Sequence, residues 1–206
     1  SYATSSDLNR FGGRFKYSKV LNVIDNIDKS ITSNITRVKI RRNLNALINQ
    51  FAQYELCFGN RFNVKPEGLN IKSTGFRIQG QSDTVFITDT PNADKLTGVI
   101  SIVKRDETTG TNIVVVKSAG TVDYVHGEVN LTTINIVSTD KPNNIVEVQA
   151  FPDSNDVIGL QDLYLEFNIP NSTINMVKDT ITSGEQISGV GYKVTSSYAN
   201  GDLTRT

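Results

Sequence analysis

Length and charge exclude two partner classes before any motif is considered. The chain has 206 residues, with 21 Lys+Arg against 21 Asp+Glu, so it has no net field to gather nucleic acid or an acidic membrane surface. A single cysteine, Cys57, excludes an internal disulfide, and no apolar run approaches the roughly 20 residues of a spanning helix.

Residues 1–15 are small and polar and are broken by Gly12-Gly13, so they read as a loop with at most a short helix. A helix is predicted over 18–28. Tyr17, Val20, Leu21, Ile24 and Ile27 recur at helical spacing on one face, and Asn22, Asp25, Asn26 and Asp28 fill the other. Ser18 is the expected cap. Asp25 and Asp28 oppose the helix dipole, so this helix needs a packing partner to persist. From Ile35 the period becomes two, with Val38 and Ile40 on one face and Arg37, Lys39 and Arg41 on the other, a basic strand. Residues 44–49 turn into a second strand at 51–58. After Pro66-Glu67-Gly68, strands are predicted near 71–79, 84–89, 97–104, 112–117, 120–125, 128–137 and 144–151. Gly80, Pro91-Asn92, Thr109-Gly110 and His126-Gly127 mark turns between them. A strand follows at 163–167, residues 174–181 stay open between strand and short helix, and 192–198 is a last strand. The expected fold class is α+β, mainly β: an N-terminal amphipathic helix followed by antiparallel sheet, with a β-rich, sandwich-like lobe in the middle. Residues 66–146 would form that inserted lobe, and 1–65 would share a sheet with 147–206.

Little in the chain could carry catalysis. His126, the only histidine, sits in a turn beside Gly127 and has no nucleophile motif near it. Cys57 lies in an apolar strand pattern and reads as a small core residue. One His and one Cys cannot supply a usual zinc site. Asp153, Asn155, Asp156 and Asp162 offer hard oxygen ligands, but Val157 and Ile158 break the EF-hand pattern, and turns bonded to local backbone are the simpler reading. Gly75 and Gly80 have phosphate-loop spacing without the Lys-Ser/Thr that should follow. The expectation is therefore no enzyme, no cofactor, no metal and no small-molecule substrate.

A series of short stretches carries a resemblance. Ala3-Thr4-Ser5-Ser6-Asp7-Leu8 is followed by Phe11-Gly12-Gly13-Arg14-Phe15, Ser18-Lys19-Val20, Ile24-Asp25-Asn26-Ile27-Asp28 and Ile31-Thr32-Ser33-Asn34-Ile35-Thr36. Gly120-Thr121-Val122-Asp123-Tyr124, Gly127-Glu128-Val129, Pro152-Asp153-Ser154-Asn155-Asp156-Val157 and Asp162-Leu163-Tyr164-Leu165 continue the order. In that order they resemble the baseplate wedge proteins of T-even-type contractile-tailed phages, relatives of the baseplate J-like proteins. The resemblance implies a virion structural protein of the tail baseplate, assembled in the host cytoplasm. It implies homodimers joined into a ring around the hub, contacts with other wedge proteins, and rearrangement on contraction. The family's proteins are much longer, so a carboxy-terminal region is expected, and an opening at Ser1-Tyr2-Ala3 without a start methionine fits a processed or cropped chain. A surface adhesin or receptor-binding β-domain suits the β-rich, Asn/Thr-rich middle as an alternative. The candidate assembly interface is the apolar stripe Tyr17, Val20, Leu21 and Ile24 beside the basic strand residues Arg37, Lys39 and Arg41, whose charges need partners.

Overall fold

A computed structural model describes residues 2–160 and 162–177, together with the backbone of 198–199 and 202–203. The elements are β1 (Arg10–Phe11), β2 (Arg14–Phe15), α1 (Tyr17–Asp25), β3 (Ile40–Asn45), β4 (Phe51–Cys57), β5 (Lys72–Ser73), β6 (Phe76–Ile78) and β7 (Val85–Pro91). They continue with β8 (Thr97–Arg105), β9 (Asn112–Asp123), β10 (Glu128–Thr139), β11 (Ile145–Ala150), β12 (Val157–Ile158) and β13 (Tyr164–Leu165). The backbone of β14 (Tyr198–Ala199) pairs with that of β15 (Asp202–Leu203). Except for Tyr198, the strand expected at 192–198 lies outside the described residues, as does 178–181.

The centre of the molecule is a barrel of β6, β7, β8, β9 and β10. Each pairs with the next, and β10 closes the ring by pairing with both β9 and β6. Every pairing is antiparallel, and directions cannot alternate evenly around an odd number of straight strands. The strand that resolves this is β10, which is long and bent. Its residues 128–131 pair with β9, its residues 136–139 pair with β6, and its register slips between Leu131 and Ile134. Bulges of this kind bend a strand and increase its twist. β4 lies along β10 outside the ring. Inward side chains fill the barrel, as expected for a small one: Val85, Ile87, Ile100, Ile102, Val122, Val129, Leu131 and Ile136 are all buried.

A second sheet, β3-β11-β5, joins the same core through Leu44, Val146, Val148 and Ala150. Asn70 ties the two together. Its amide donates to the carbonyls of Asn63 (2.5 Å) and Phe151 (3.1 Å), and its oxygen accepts from the Phe151 N–H (2.9 Å). All of its bonds close loops that would otherwise bury open backbone groups.

The expected fold class is corrected here. The molecule is mainly β, but its middle is a closed five-stranded barrel rather than a sandwich-like lobe. The described residues contain one α-helix of nine residues. It does not open the fold ahead of a sheet, because β1 and β2 precede it and no strand follows until Ile40. The barrel closes because β10 reaches two neighbours at once, a long-range pairing that the spacing of strands does not reveal.

Candidate assembly surface

The start of the chain is organised by its return at 156–167. Phe11 pairs with Tyr164 between β1 and β13, and Phe15 pairs with Val157 between β2 and β12. α1 closes over them. Leu8, Phe15, Val20 and Val157 form a small second core, flanked by Tyr2, Tyr17, Ile24, Val38, Ile40, Leu165 and Phe167. Phe15 and Phe167 stack at 6.2 Å. The helix start is capped from afar: the Tyr17 N–H donates to Asp156 Oδ1 at 2.8 Å. Ser18 does not cap it. The residue at the cap position is Lys16, whose side chain makes no capping bond.

The seven candidate residues fall into three situations. Val20 is buried in the small core, with Tyr17 and Ile24 half-buried against it, and the Tyr17 hydroxyl donates to the Thr36 carbonyl at 3.0 Å. Leu21 is half-exposed. Of the basic residues, Arg41 is occupied within the chain. It pairs with Glu147 at 2.9 Å, and its guanidinium donates through both terminal nitrogens to the Asn168 amide oxygen at 3.0 Å when that amide takes the orientation that satisfies both partners. Lys39 lies 5.2 Å from the centre of the Phe151 ring, a cation–π contact. Arg37 is exposed and has no ion-pair partner among the described residues. The strand expected from Ile35 begins only at Ile40, although the alternation of outward Arg37, Lys39 and Arg41 with inward-leaning Val38 and Ile40 runs along the whole stretch.

The sequence reading passed over a different set of exposed apolar groups on this module. Phe11 is 63% exposed and Tyr164 53%, and their rings meet edge to face at 5.4 Å. Ile158 and Leu160 are exposed nearby, and the Gly12 N–H donates to the Leu160 carbonyl at 3.2 Å. Gly12 takes φ +66°, a conformation that favours glycine and turns the chain between β1 and β2 without pairing them to each other. The signal for this patch was Phe11 beside Gly12-Gly13, but its partner is more than 150 residues away, and no local period announces it.

The titratable groups considered for chemistry have structural surroundings. Burial, then Glu55 and Glu128, push the Cys57 thiol above its ordinary range, which disfavours the reactive thiolate. Asp156 caps α1, and Asp153 pairs with Arg61 at 3.4 Å. His126 Nδ1 meets Asp123 Oδ2 at 2.7 Å in the β9–β10 turn. Among the described residues no group of three or more His, Cys, Asp or Glu side chains is placed to hold a metal ion, and no helix is long and apolar enough to cross a membrane.

Comparison with known proteins bears on this module. Residues 1–43 match the family model described as baseplate structural protein gp6, C-terminal domain III. The matched stretch covers β1, β2, α1 and most of β3, and it contains all seven candidate residues. No curated protein matches the chain, and no solved structure matches it. The match spans 43 of 206 residues. It supports a structural role in a phage baseplate, contact with other baseplate proteins, and a place in the tail of the virion.

Proposed function

We propose that this chain is a non-enzymatic assembly domain of a phage tail baseplate wedge. It associates as a homodimer, joins a ring around the hub, and shifts with that ring when the tail contracts. The observation that carries the reading is the match over residues 1–43, which falls on the module whose surface exposes Phe11, Tyr164, Ile158 and Leu160. Exposed apolar side chains gathered beside charged ones are the usual make-up of a protein interface. Leu21 is half-exposed and Arg37 and Lys39 are exposed, all three within the same matched stretch.

Imaging of purified tail baseplates tests the reading. The expected result is density for this chain forming a continuous ring about the tail axis. Placement at a fibre tip, or absence from the baseplate, would overturn it. The surface has its own test. Phe11→Asp with Tyr164→Asp is expected to keep the far-UV circular dichroism of the parent and to convert dimer to monomer in light scattering. A double variant that still dimerises at the parent's concentration removes this patch from the interface.

A further inference from the structure

Two features of the described chain lie outside the assembly surface just proposed, and each lacks what the other has. The first is an open strand edge. β9 pairs with β8 through residues 112–116 and 120–123 but with β10 only through 120–123, so among the described residues its second edge is unpaired over 112–118. That edge begins Asn112-Ile113-Val114-Val115-Val116, four β-branched residues in a row with neither proline nor charge before Lys117, and Ile113 and Val114 are exposed. Native proteins normally blunt or cover such an edge, because its open N–H and C=O groups invite pairing. Beside it, where β9 parts from β10, a cleft of ≈ 330 Å³ opens between Val116, Ala119, Ile134, Ile78 and Phe51. None of the side chains that line it is charged.

The second is an arm. Residues 172–177 follow the short turn Ile169–Asn171 without regular structure, and every one of them is exposed. Ile174 and Met176 are 87% and 86% exposed and alternate with Thr173 and Asn175, the apolar–polar pattern of a half-buried strand over 173–176, and Val177 follows, 80% exposed. The arm carries no charge in a chain that is 20% charged. An uncharged strand and an uncharged cleft can close on one another without stranding a charge away from water.

We propose that residues 172–177 of one copy add as a strand to the free edge of β9 in a second copy, and seat Ile174 and Met176 in the cleft between β9 and β10. Main-chain bonds to the edge give the affinity, and the alternate side chains in the cleft give the register. Among the described residues neither the arm nor this stretch of edge has a strand partner within one copy, and the occupant assigned to the edge is the arm of a second copy. The inference rests on the reading that copies of this chain associate, and not on their place in a baseplate.

Disulfide trapping in trans tests it on the full chain. Two proteins are made in a Cys57→Ser background, one with Thr133→Cys at the cleft and one with Met176→Cys on the arm. The mixture is oxidised and digested, and the peptides are read by mass spectrometry. The expected product is a linked pair of peptides containing positions 133 and 176. Ile174→Asp added to the arm protein is expected to lower its yield on the order of tenfold or more, because the aspartate would be buried without a partner. Absence of the linked pair in the mixture overturns the proposal. So does a link formed only inside one chain when both substitutions are placed together. If light scattering still reports a dimer in that case, association stands and only this contact falls.

Discussion

Asp89 is 1% exposed in a core that is mostly aliphatic but includes the buried rings of Phe76 and Tyr124, and it is held by two donors. The Ile71 N–H donates to Oδ1 at 2.7 Å, and the Tyr124 hydroxyl donates to Oδ2 at 2.7 Å. Burial first, and Asp89 second, push the Tyr124 phenol far above its ordinary range, so it stays a donor. Asp89→Ala leaves two buried donors unmatched, at about 1–3 kcal/mol each. It is expected to cost roughly 2–6 kcal/mol in urea unfolding, and a loss under 1 kcal/mol would show that water replaces the carboxyl. Gly68 and Gly98 reflect the same crowding, since a Cβ at the first would collide with the Asp89 carbonyl and at the second with the Tyr124 hydroxyl. His126 is the opposite case, exposed and paired with Asp123. The hydrogen bond to Asp123 and its charge raise the imidazole pKa above 6.5, and the bonds from His126 lower that of Asp123 below 3.8. The His contribution is therefore full below 6.5 and fades as pH rises through the raised value. The Asp contribution is present above 3.8 and fades as pH falls through the lowered one. The pair is strongest between those values. An NMR titration is expected to give a His126 midpoint above 6.5 that falls when Asp123→Asn is introduced; an unchanged midpoint would mean the contact does not persist in solution.

Individual elements show what a sequence period can and cannot specify. Strands at 97–104, 128–137 and 144–151 stand close to where alternation and turn residues put them, as β8, β10 and β11. The misses have particular causes. Residues 71–79 read as one strand but split at Thr74-Gly75, where the chain leaves the β11 sheet for the barrel and a Cβ on Gly75 would strike the Asp140 carboxyl. Residues 112–117 and 120–125 read as two strands but make one. The surplus residues bulge from β9 where Ser101 Oγ donates to the Lys117 carbonyl at 2.8 Å. Residues 35–39 alternate correctly and still form no strand, because their neighbour ends: the ladder stops at Ala150↔Ile40, and Pro152 then bridges to Phe62. A period sets which side chains share a face, whereas a strand also needs a second chain to bond. The helix teaches the same point from its cap. Ser18 was the local candidate, yet the bond comes from Asp156, 139 positions away. Asp156→Ala is expected to cost about 1 kcal/mol and to speed amide exchange at residues 17–20 while β7 and β8 keep their protection. Equal protection in the variant would mean that packing on Phe15 and Val157 alone holds the first turn.

At the scale of the whole molecule, the two hydrophobic clusters differ in size and in how they are joined. The larger runs through the barrel and the β3-β11-β5 sheet, with Phe62, Phe76, Ile87, Ile100 and Val146 at or below 2% exposure. The smaller has four buried side chains, Leu8, Phe15, Val20 and Val157, held by two-residue strand pairings and one short helix. Residues 26–39 connect α1 to β3 without regular structure, and Ile27 and Ile35 are 72% and 92% exposed along it. Few buried contacts and short ladders place the small module at the low end of local stability, so it should open without the barrel. Three measurements are expected to agree. Trypsin cuts first at Lys29, Arg37 or Lys39. Amides of α1 exchange well before those of β7 and β8. Val20→Ala lowers protection in α1 and β2 with little change in β8. Residues 1–43 of this module carry the baseplate-family match, and under the function proposed above a weakly held unit would be the one to change its contacts if neighbouring subunits move. Uniform exchange across module and barrel, with one cooperative transition shared by both, would make the molecule a single rigid block and move the rearrangement proposed above to the joints between subunits.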